Sequence, residues 1–262
     1  MAFEISLKDQ VVLVTGVSSG IGAGVAAMFA KAGASVSGCA RSGKDSKPIL
    51  QFIQSVKDEG GNVLYTETDV TNPNDLEHLV EKTIAHFGRL DILISNAGVN
   101  IFEGVANCSE EQWEYNMDLN LSSHWRLSKL SKPYLEKSEN GCIIIMTSNH
   151  AFSSIPGCFP YNVTKTALTG LVRAMAIELS PGIRTVGLAP GFIDTAGNNE
   201  WFNSFPDPEA ERTRTINLHP VKKIGTVEEV GAFCVFLSSK WASFASGATY
   251  LLDGGRSAVM QD

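Results

Sequence analysis

The sequence predicts an α/β chain built as one doubly wound, parallel sheet of about seven strands with helices on both faces. Three observations predict it. Short continuous apolar runs, such as Val11-Val12-Leu13-Val14 and Cys142-Ile143-Ile144-Ile145-Met146, suit strands buried on both faces. Stretches of helical periodicity separate these runs from one end of the chain to the other. No composition break or linker divides the series, so residues 1–262 read as a single domain.

The first strand, 11–14, enters Thr15-Gly16-Val17-Ser18-Ser19-Gly20-Ile21-Gly22. A helical pattern through Val25, Met28, Phe29 and Ala32 follows and stops at Gly33. Strand, glycine loop, helix is the order in which backbone N–H groups and a helix N-terminus receive a pyrophosphate. The spacing is Gly-x-x-x-Gly-x-Gly, where the more general dinucleotide fingerprint is Gly-x-Gly-x-x-Gly. A second strand covers 35–39, a helix about 48–59 ends at Gly60-Gly61, and a third strand covers 62–66. Pro73 opens an amphipathic helix to Phe87, with Leu76, Leu79, Val80 and Ile84 on its apolar face. The fourth strand is 91–94, and helices carrying Trp113 and Met117-Asp118-Leu119-Asn120-Leu121 lead to the fifth at 142–146. A further helix runs from Tyr161 through Leu168, Val172 and Met175 to Leu179. Strand 184–189, helix 226–238 and strand 248–252 complete the series.

The net charge of −7 and pI near 5.3 argue against a nucleic-acid or anionic-membrane partner. Apolar runs fall far short of the roughly 18 residues that span a bilayer, and residues 1–10 lack the regions of a signal peptide. A cytoplasmic location is therefore the expectation. The five cysteines form no Cys-x-x-Cys pair and read as reduced, mostly core residues. The five histidines offer no metal-ligand spacing, and no metal is expected.

Tyr161 and Lys165 stand four apart, on one face of their helix. An ammonium beside a phenol favours the phenolate, and moving a phenol pKa from about 10 to about 7 takes roughly 4 kcal/mol. The pair thus predicts a Tyr161 held below its ordinary pKa by Lys165. Ser148, thirteen residues before Tyr161, follows the fifth strand directly, at the strand end where open α/β sheets bind ligands.

This Ser148/Tyr161/Lys165 arrangement, with the Thr-Gly-x-x-x-Gly-Ile-Gly loop at the first strand, resembles the short-chain dehydrogenase/reductase family, and the resemblance spans about residues 7–255. It implies a Rossmann-type fold and a reaction between a carbonyl, a secondary alcohol and a nicotinamide dinucleotide. Ser148 would steady the carbonyl oxygen, Tyr161 would exchange the proton, Lys165 would assist it and hold the nicotinamide ribose, and Asn120 would hold a water in the relay to the lysine. Gly16, Ser18, Ser19, Gly20, Ile21 and Gly22 would line the cofactor's phosphates. Asp69-Val70 would contact the adenine, and Asn96-Ala97-Gly98, within a one-residue variant of the family's Asn-Asn-Ala-Gly element, would approach the cofactor. Pro190, Gly191, Ile193 and Thr195, with Tyr161 and Lys165, would hold its nicotinamide end. In the family's register the acidic position after the second strand falls on Ala40, and Arg41 follows. A carboxylate there suits the ribose of NAD(H) and an arginine the 2′-phosphate of NADP(H), so NADP(H) is expected over NAD(H).

Residues 195–226 fall outside the shared motifs and read as a substrate lid. His150, Phe192, Trp201 and Phe202 are candidates for the substrate wall, with ordinary packing as the alternative for each. The substrate is expected to be a free small molecule. A 3-oxoacyl thioester on a carrier protein ranks lower, because the basic docking positions of such reductases appear here as Glu139 and Pro181. A catalytically silent nucleotide-binding protein ranks lower still, since Asn120, Ser148, Tyr161 and Lys165 are all present. The resemblance also implies a homotetramer or homodimer packed through the helices of Asn120 and Tyr161.

Overall fold

The structure is a computed structural model that describes residues 4–260. Among these, seven strands form one parallel sheet: β1 (Val11–Thr15), β2 (Ser35–Ala40), β3 (Val63–Glu67), β4 (Ile92–Ser95), β5 (Gly141–Met146), β6 (Ile183–Pro190) and β7 (Thr249–Leu252). Their order across the sheet is β3-β2-β1-β4-β5-β6-β7. The chain winds outward from β1 to β3, returns to the centre at β4 and winds outward again. The reversal lies between β1 and β4, where Val12 pairs with Ile92 and Val14 with Ile94. A crevice at this point, beyond the carboxyl ends of the strands, is where such sheets take ligands.

The helices are α1 (Gly20–Lys31), α2 (Lys47–Asp58), α3 (Pro73–Phe87), α4 (Glu110–Met117), α5 (Ser123–Leu135), α6 (Tyr161–Glu178), α7 (Ala196–Asn203), α8 (Pro208–Asn217) and α9 (Val227–Ser238). Alternation along each strand divides the core in two. Val12, Val14, Ile92, Ile94 and Ile144 face Val25 and Phe29 of α1 and Val230 and Cys234 of α9. Leu13, Leu93, Ile143 and Ile145 face Leu76 and Leu79 of α3, Leu127 of α5 and Leu168 and Val172 of α6. The α1–α9 contact is close because it is built on glycine. A Cβ on Gly24 would lie 2.4 Å from the Val227 Cβ, and one on Gly231 would lie 2.7 Å from the Met28 Cγ.

Helix starts follow their capping residues. Ser109 and Gln112 form a reciprocal capping box at α4, and Thr226 and Glu229 form another at α9. The expected strands appear with edges shifted by a residue or so. Residues 195–226 are not irregular: Thr195 caps α7 and Asp207 caps α8, each accepting from a backbone N–H. Among the described residues no helix is long and apolar enough to cross a membrane.

Candidate active site

The loop between β1 and α1 opens the site. Gly16 has φ +78° and Gly20 φ +58°, the left-handed region that favours glycine. A Cβ on Gly22 would sit 2.2 Å from the Gly16 carbonyl oxygen, so helix and loop meet backbone to backbone. Ser19 starts α1 without a side-chain cap, and the first turn holds no acidic residue. Its N–H groups therefore point at the crevice with no carboxylate to satisfy them. The loop is tied across the switch point. Thr15 Oγ1 accepts from the backbone N–H of Asn96 and of Ala97, both at 2.9 Å, while Asn96 Nδ2 donates to the Thr15 carbonyl at 2.8 Å.

Ser148, just past β5, and Tyr161, the first residue of α6, lie on one wall of the same cavity as this loop, with Lys165 one turn along. Lys165 Nζ lies 5.4 Å from the Tyr161 ring centroid and donates to the Met146 carbonyl at 3.0 Å. Asn120 is fully buried and not on the helix surface where an intrahelical asparagine ordinarily sits. It falls in a wide π turn, Asp118–Ser122, that joins α4 to α5. Its Oδ1 accepts from Val99 N at 3.0 Å, and its Nδ2 donates to Val99 O at 3.0 Å and Asn116 Oδ1 at 2.8 Å. Asn116 Nδ2 in turn donates to the carbonyl of Pro160, the residue before Tyr161. Both N–H groups of the Asn120 amide are thus committed to structure. Asn120 Oδ1 and Lys165 Nζ crowd the same space beside Gly98, 2.6 and 3.6 Å from where a Cβ would stand.

The electrostatics overturn one expectation. Burial pushes the Tyr161 phenol up to about 12, opposed by a hydrogen bond to Ser148. Burial also pushes the Lys165 ammonium down to about 8. In the free protein desolvation of the phenolate outweighs the Ser148 hydrogen bond, so Tyr161 rests as a neutral phenol. Behind the pair, Ser95 Oγ lies 2.7 Å from Nδ1 of buried His124, whose pKa burial lowers to about 3. His124 holds the one serine that departs from the family's Asn-Asn-Ala-Gly element, and nothing in its spacing signals that.

The cavity encloses about 1460 Å³, beyond the roughly 300–1,000 Å³ of a pocket for one drug-sized ligand. Gly16, Ser18, Ser19, Gly20, Ile21, Gly22, Arg41, Val70, Asn96, Ala97, Gly98, Pro190, Gly191, Ile193 and Thr195 all line it. Asp69 is set back from the wall. Its carboxylate accepts from Thr71 N at 2.9 Å and Thr71 Oγ1 at 2.8 Å, and its N–H donates to Asp75, which leaves Thr68 and Val70 at the surface of the cavity. Arg41, exposed at the end of β2, donates to the Tyr115 hydroxyl at 3.2 Å.

His150, Phe192 and Trp201 line the cavity, but Phe202 does not. Phe202 is 3% exposed, with Phe192 and Trp201 at ring-centroid distances of 5.3 and 5.2 Å and the Arg212 guanidinium 5.4 Å from its centroid. It seats α7 on the body of the protein. Phe102, outside the motifs, packs edge-on against both His150 and Tyr161. Leu218, His219, Arg256 and Val259 also reach the wall, brought there by chain folding that no local spacing announces. Cys158 is 1% exposed and burial raises its thiol pKa, which makes it a packed residue.

A parallel sheet with its switch point at a glycine loop, and a serine, tyrosine and lysine beyond the adjoining strand, define a Rossmann-type oxidoreductase. A family described as enoyl-(acyl carrier protein) reductase matches residues 16–257. The human dehydrogenase/reductase SDR family member 4 is 36% identical over 252 residues, covering 95% of this chain and 88% of that protein. A 3-oxoacyl-[acyl-carrier-protein] reductase of Thermotoga maritima is 30% identical over 251 residues, covering 95% of this chain and 98% of that one. Ligand-free aldohexose dehydrogenase of Thermoplasma acidophilum superposes with a TM-score of 0.87 at 27% identity, over 98% of this chain and 97% of that one. The chain belongs to the short-chain dehydrogenase/reductase family.

Proposed function

We propose that the protein interconverts a ketone and a secondary alcohol on a free small molecule, with NADP(H) preferred over NAD(H). The observation that carries this reading is the meeting of Ser148, Tyr161 and Lys165 on one cavity wall, continuous with the uncapped N-terminus of α1. The residues fit a dinucleotide. The Gly16–Gly22 approach leaves a backbone cradle that any Cβ would fill, and the cavity has room for an extended ligand.

When bound, the nicotinamide supplies a hydride to the carbonyl carbon or takes one from the alcohol carbon. Ser148 donates a hydrogen bond to the carbonyl oxygen and fixes its position. Tyr161, neutral at rest, breaks its O–H bond to protonate the oxygen as the alkoxide forms. Lys165, held by the Met146 carbonyl, stabilises the phenolate left behind. Asn120 positions the Val99 segment and, through Asn116, the start of α6. The reverse sequence oxidises the alcohol.

Purified protein is to be mixed with NADPH or NADH and ketones, diketones, aldoses and 3-oxoacyl thioesters, and followed by nicotinamide absorbance. Turnover of a free ketone or sugar supports the reading. Turnover of thioesters alone replaces it with carrier-bound chemistry, the reading that the Thermotoga relative favours and that exposed Glu139 and Pro181 oppose. Tyr161→Phe is expected to keep cofactor binding and lower kcat at least a hundredfold, the scale of a lost general acid. Retained turnover sinks the assignment. Arg41 supports the cofactor preference, because β2 ends in buried Ala40 and offers the ribose no carboxylate. Wild-type protein should bind NADP+ at least tenfold tighter than NAD+, and Arg41→Ala should close that gap; tighter NAD+ binding by the wild type overturns the preference. We read the working form as a homodimer or homotetramer, supported by the exposed Trp125 on α5 and Ile177 on α6 and testable by light scattering, with a cytoplasmic location to be tested by cell fractionation.

A further inference from the structure

The chain carries a net charge of −7, yet among the described residues its cavity wall holds Arg41, Lys165, Arg214 and Arg256 against a single carboxylate, Glu103. Three of the four cations have partners. Arg41 donates to Tyr115, Lys165 to the Met146 carbonyl, and Arg214 grips Glu211 through two bonds of 2.8 and 2.5 Å. Arg256 has no acceptor among the described residues. Its place is nonetheless fixed. The buried Asp253 carboxylate accepts from Gly255 N at 3.0 Å and Ser257 N at 2.8 Å, which shapes the turn around Arg256. Gly191 N donates to Leu252 O at 3.0 Å, and a Cβ on Gly191 would lie 2.6 Å from the Asp253 Cβ. The turn is therefore docked on the end of β6, at the Tyr161 end of the cavity and far across the sheet from Arg41 beyond β2.

A partly buried guanidinium with unused donors on a ligand wall is a site for an oxyanion. Glu103 does not fill that role. It lies on the segment after β4 that is bridged to Pro160, three strands from β7, and no ion pair joins it to Arg256 among the described residues. Ser148 follows β5, two strands from β7, and lines the same cavity. Phe102, Ile155, Phe192, Trp201, Leu218 and Val259 give the wall its apolar surface. We infer that Arg256 binds an anionic group of the substrate, and that the substrate is an oxo or hydroxy acid whose oxyanion is separated from the reacting carbon by an apolar body. This rests on the carbonyl–alcohol reading and names its substrate class.

The test is calorimetric titration of NADP+-saturated wild type, Arg256→Gln and Arg256→Lys. The ligands are 4-acetylbenzoate, its methyl ester and 4-acetylphenyl phosphate. The acid should bind wild type at least tenfold tighter than the ester. Arg256→Gln should cost the acid roughly ten- to a hundredfold and bring the ratio near one, the worth of a charge-assisted hydrogen bond. Arg256→Lys should restore part of the ratio, and added salt should weaken the acid but not the ester. Both anions should outbind the ester, and the tighter of the two identifies the natural oxyanion as carboxylate or phosphate. Equal binding of acid and ester by the wild type overturns the inference. A proportional loss of both in Arg256→Gln also overturns it, as does a loss of NADP+ affinity or a changed assembly mass in that variant. Failure of the wild type to bind NADP+ or NAD+ fells the cofactor reading instead, and direct titration with each dinucleotide separates the two failures.

Discussion

A Lys165 side chain only 3% exposed, with the Met146 carbonyl as its hydrogen-bond partner, is a charge held out of water beside a phenol held neutral. Its pKa falls from 10.5 to about 8 because burial disfavours the ammonium. The unfolded chain therefore holds this proton more tightly than the folded one between those values, and the burial cost is full below pH 8, relieved as pH rises and gone above 10.5. Lys165→Met should stabilise the protein at pH 7 by roughly 1–3 kcal/mol, the shift less the lost hydrogen bond, while turnover collapses. Urea titrations should show the variant's advantage shrinking between pH 8 and 10.5; an advantage that stays constant with pH contradicts the burial account. At this scale Ser148, Tyr161 and Lys165 were legible, because a four-residue helical step and a strand end are properties of spacing. The neutral Tyr161 was not, since a spacing predicts that a cation is near but not how dry the site is. Phe202 and Arg256 were illegible for a similar reason: which way an aromatic faces, and what a C-terminal turn lands on, depend on contacts made far along the chain.

The α4–α5 hinge shows what a single element does for the site. The π turn at Asp118–Ser122 rotates Asn120 off the helix surface and into the segment after β4, where it meets both backbone groups of Val99 and the Asn116 amide. Asn120→Ala would leave the buried Asn116 amide and the half-buried backbone groups of Val99 without these partners, at a cost of roughly 1–3 kcal/mol. The expected signature is a lower denaturation midpoint together with a lower kcat, because the start of α6 loosens. A variant with reduced kcat and unchanged stability would instead make Asn120 a direct participant in proton transfer. Strands, glycine loop and long helices were legible as elements, each announced by its own periodicity or by a proline or glycine at its edge. The π turn was not, because its reason is tertiary: the register of α4 against α5 is set by bonds to Val99 and Pro160.

One sheet serves two separate apolar cores, with Phe29 in the first and Leu79 in the second. Because β1, β4 and β5 belong to both, loss of either core should unfold the shared sheet. Phe29→Ala and Leu79→Ala are expected to cost about 2–5 kcal/mol each. Far-UV and near-UV circular dichroism should lose signal together in both variants, and separated transitions would mean that the cores are independent. The seat of α1 adds a constraint in time. Gly24 and Met28, on the helix that follows the glycine loop, pack on Val227 and Gly231 of α9, some two hundred residues later in the chain. A ribosome that has released the glycine loop must translate most of the remaining message before the helix behind it finds its partner. A nascent chain halted before residue 227 carries every residue of that loop yet lacks the support that holds it, so dinucleotide binding should be among the last properties to mature.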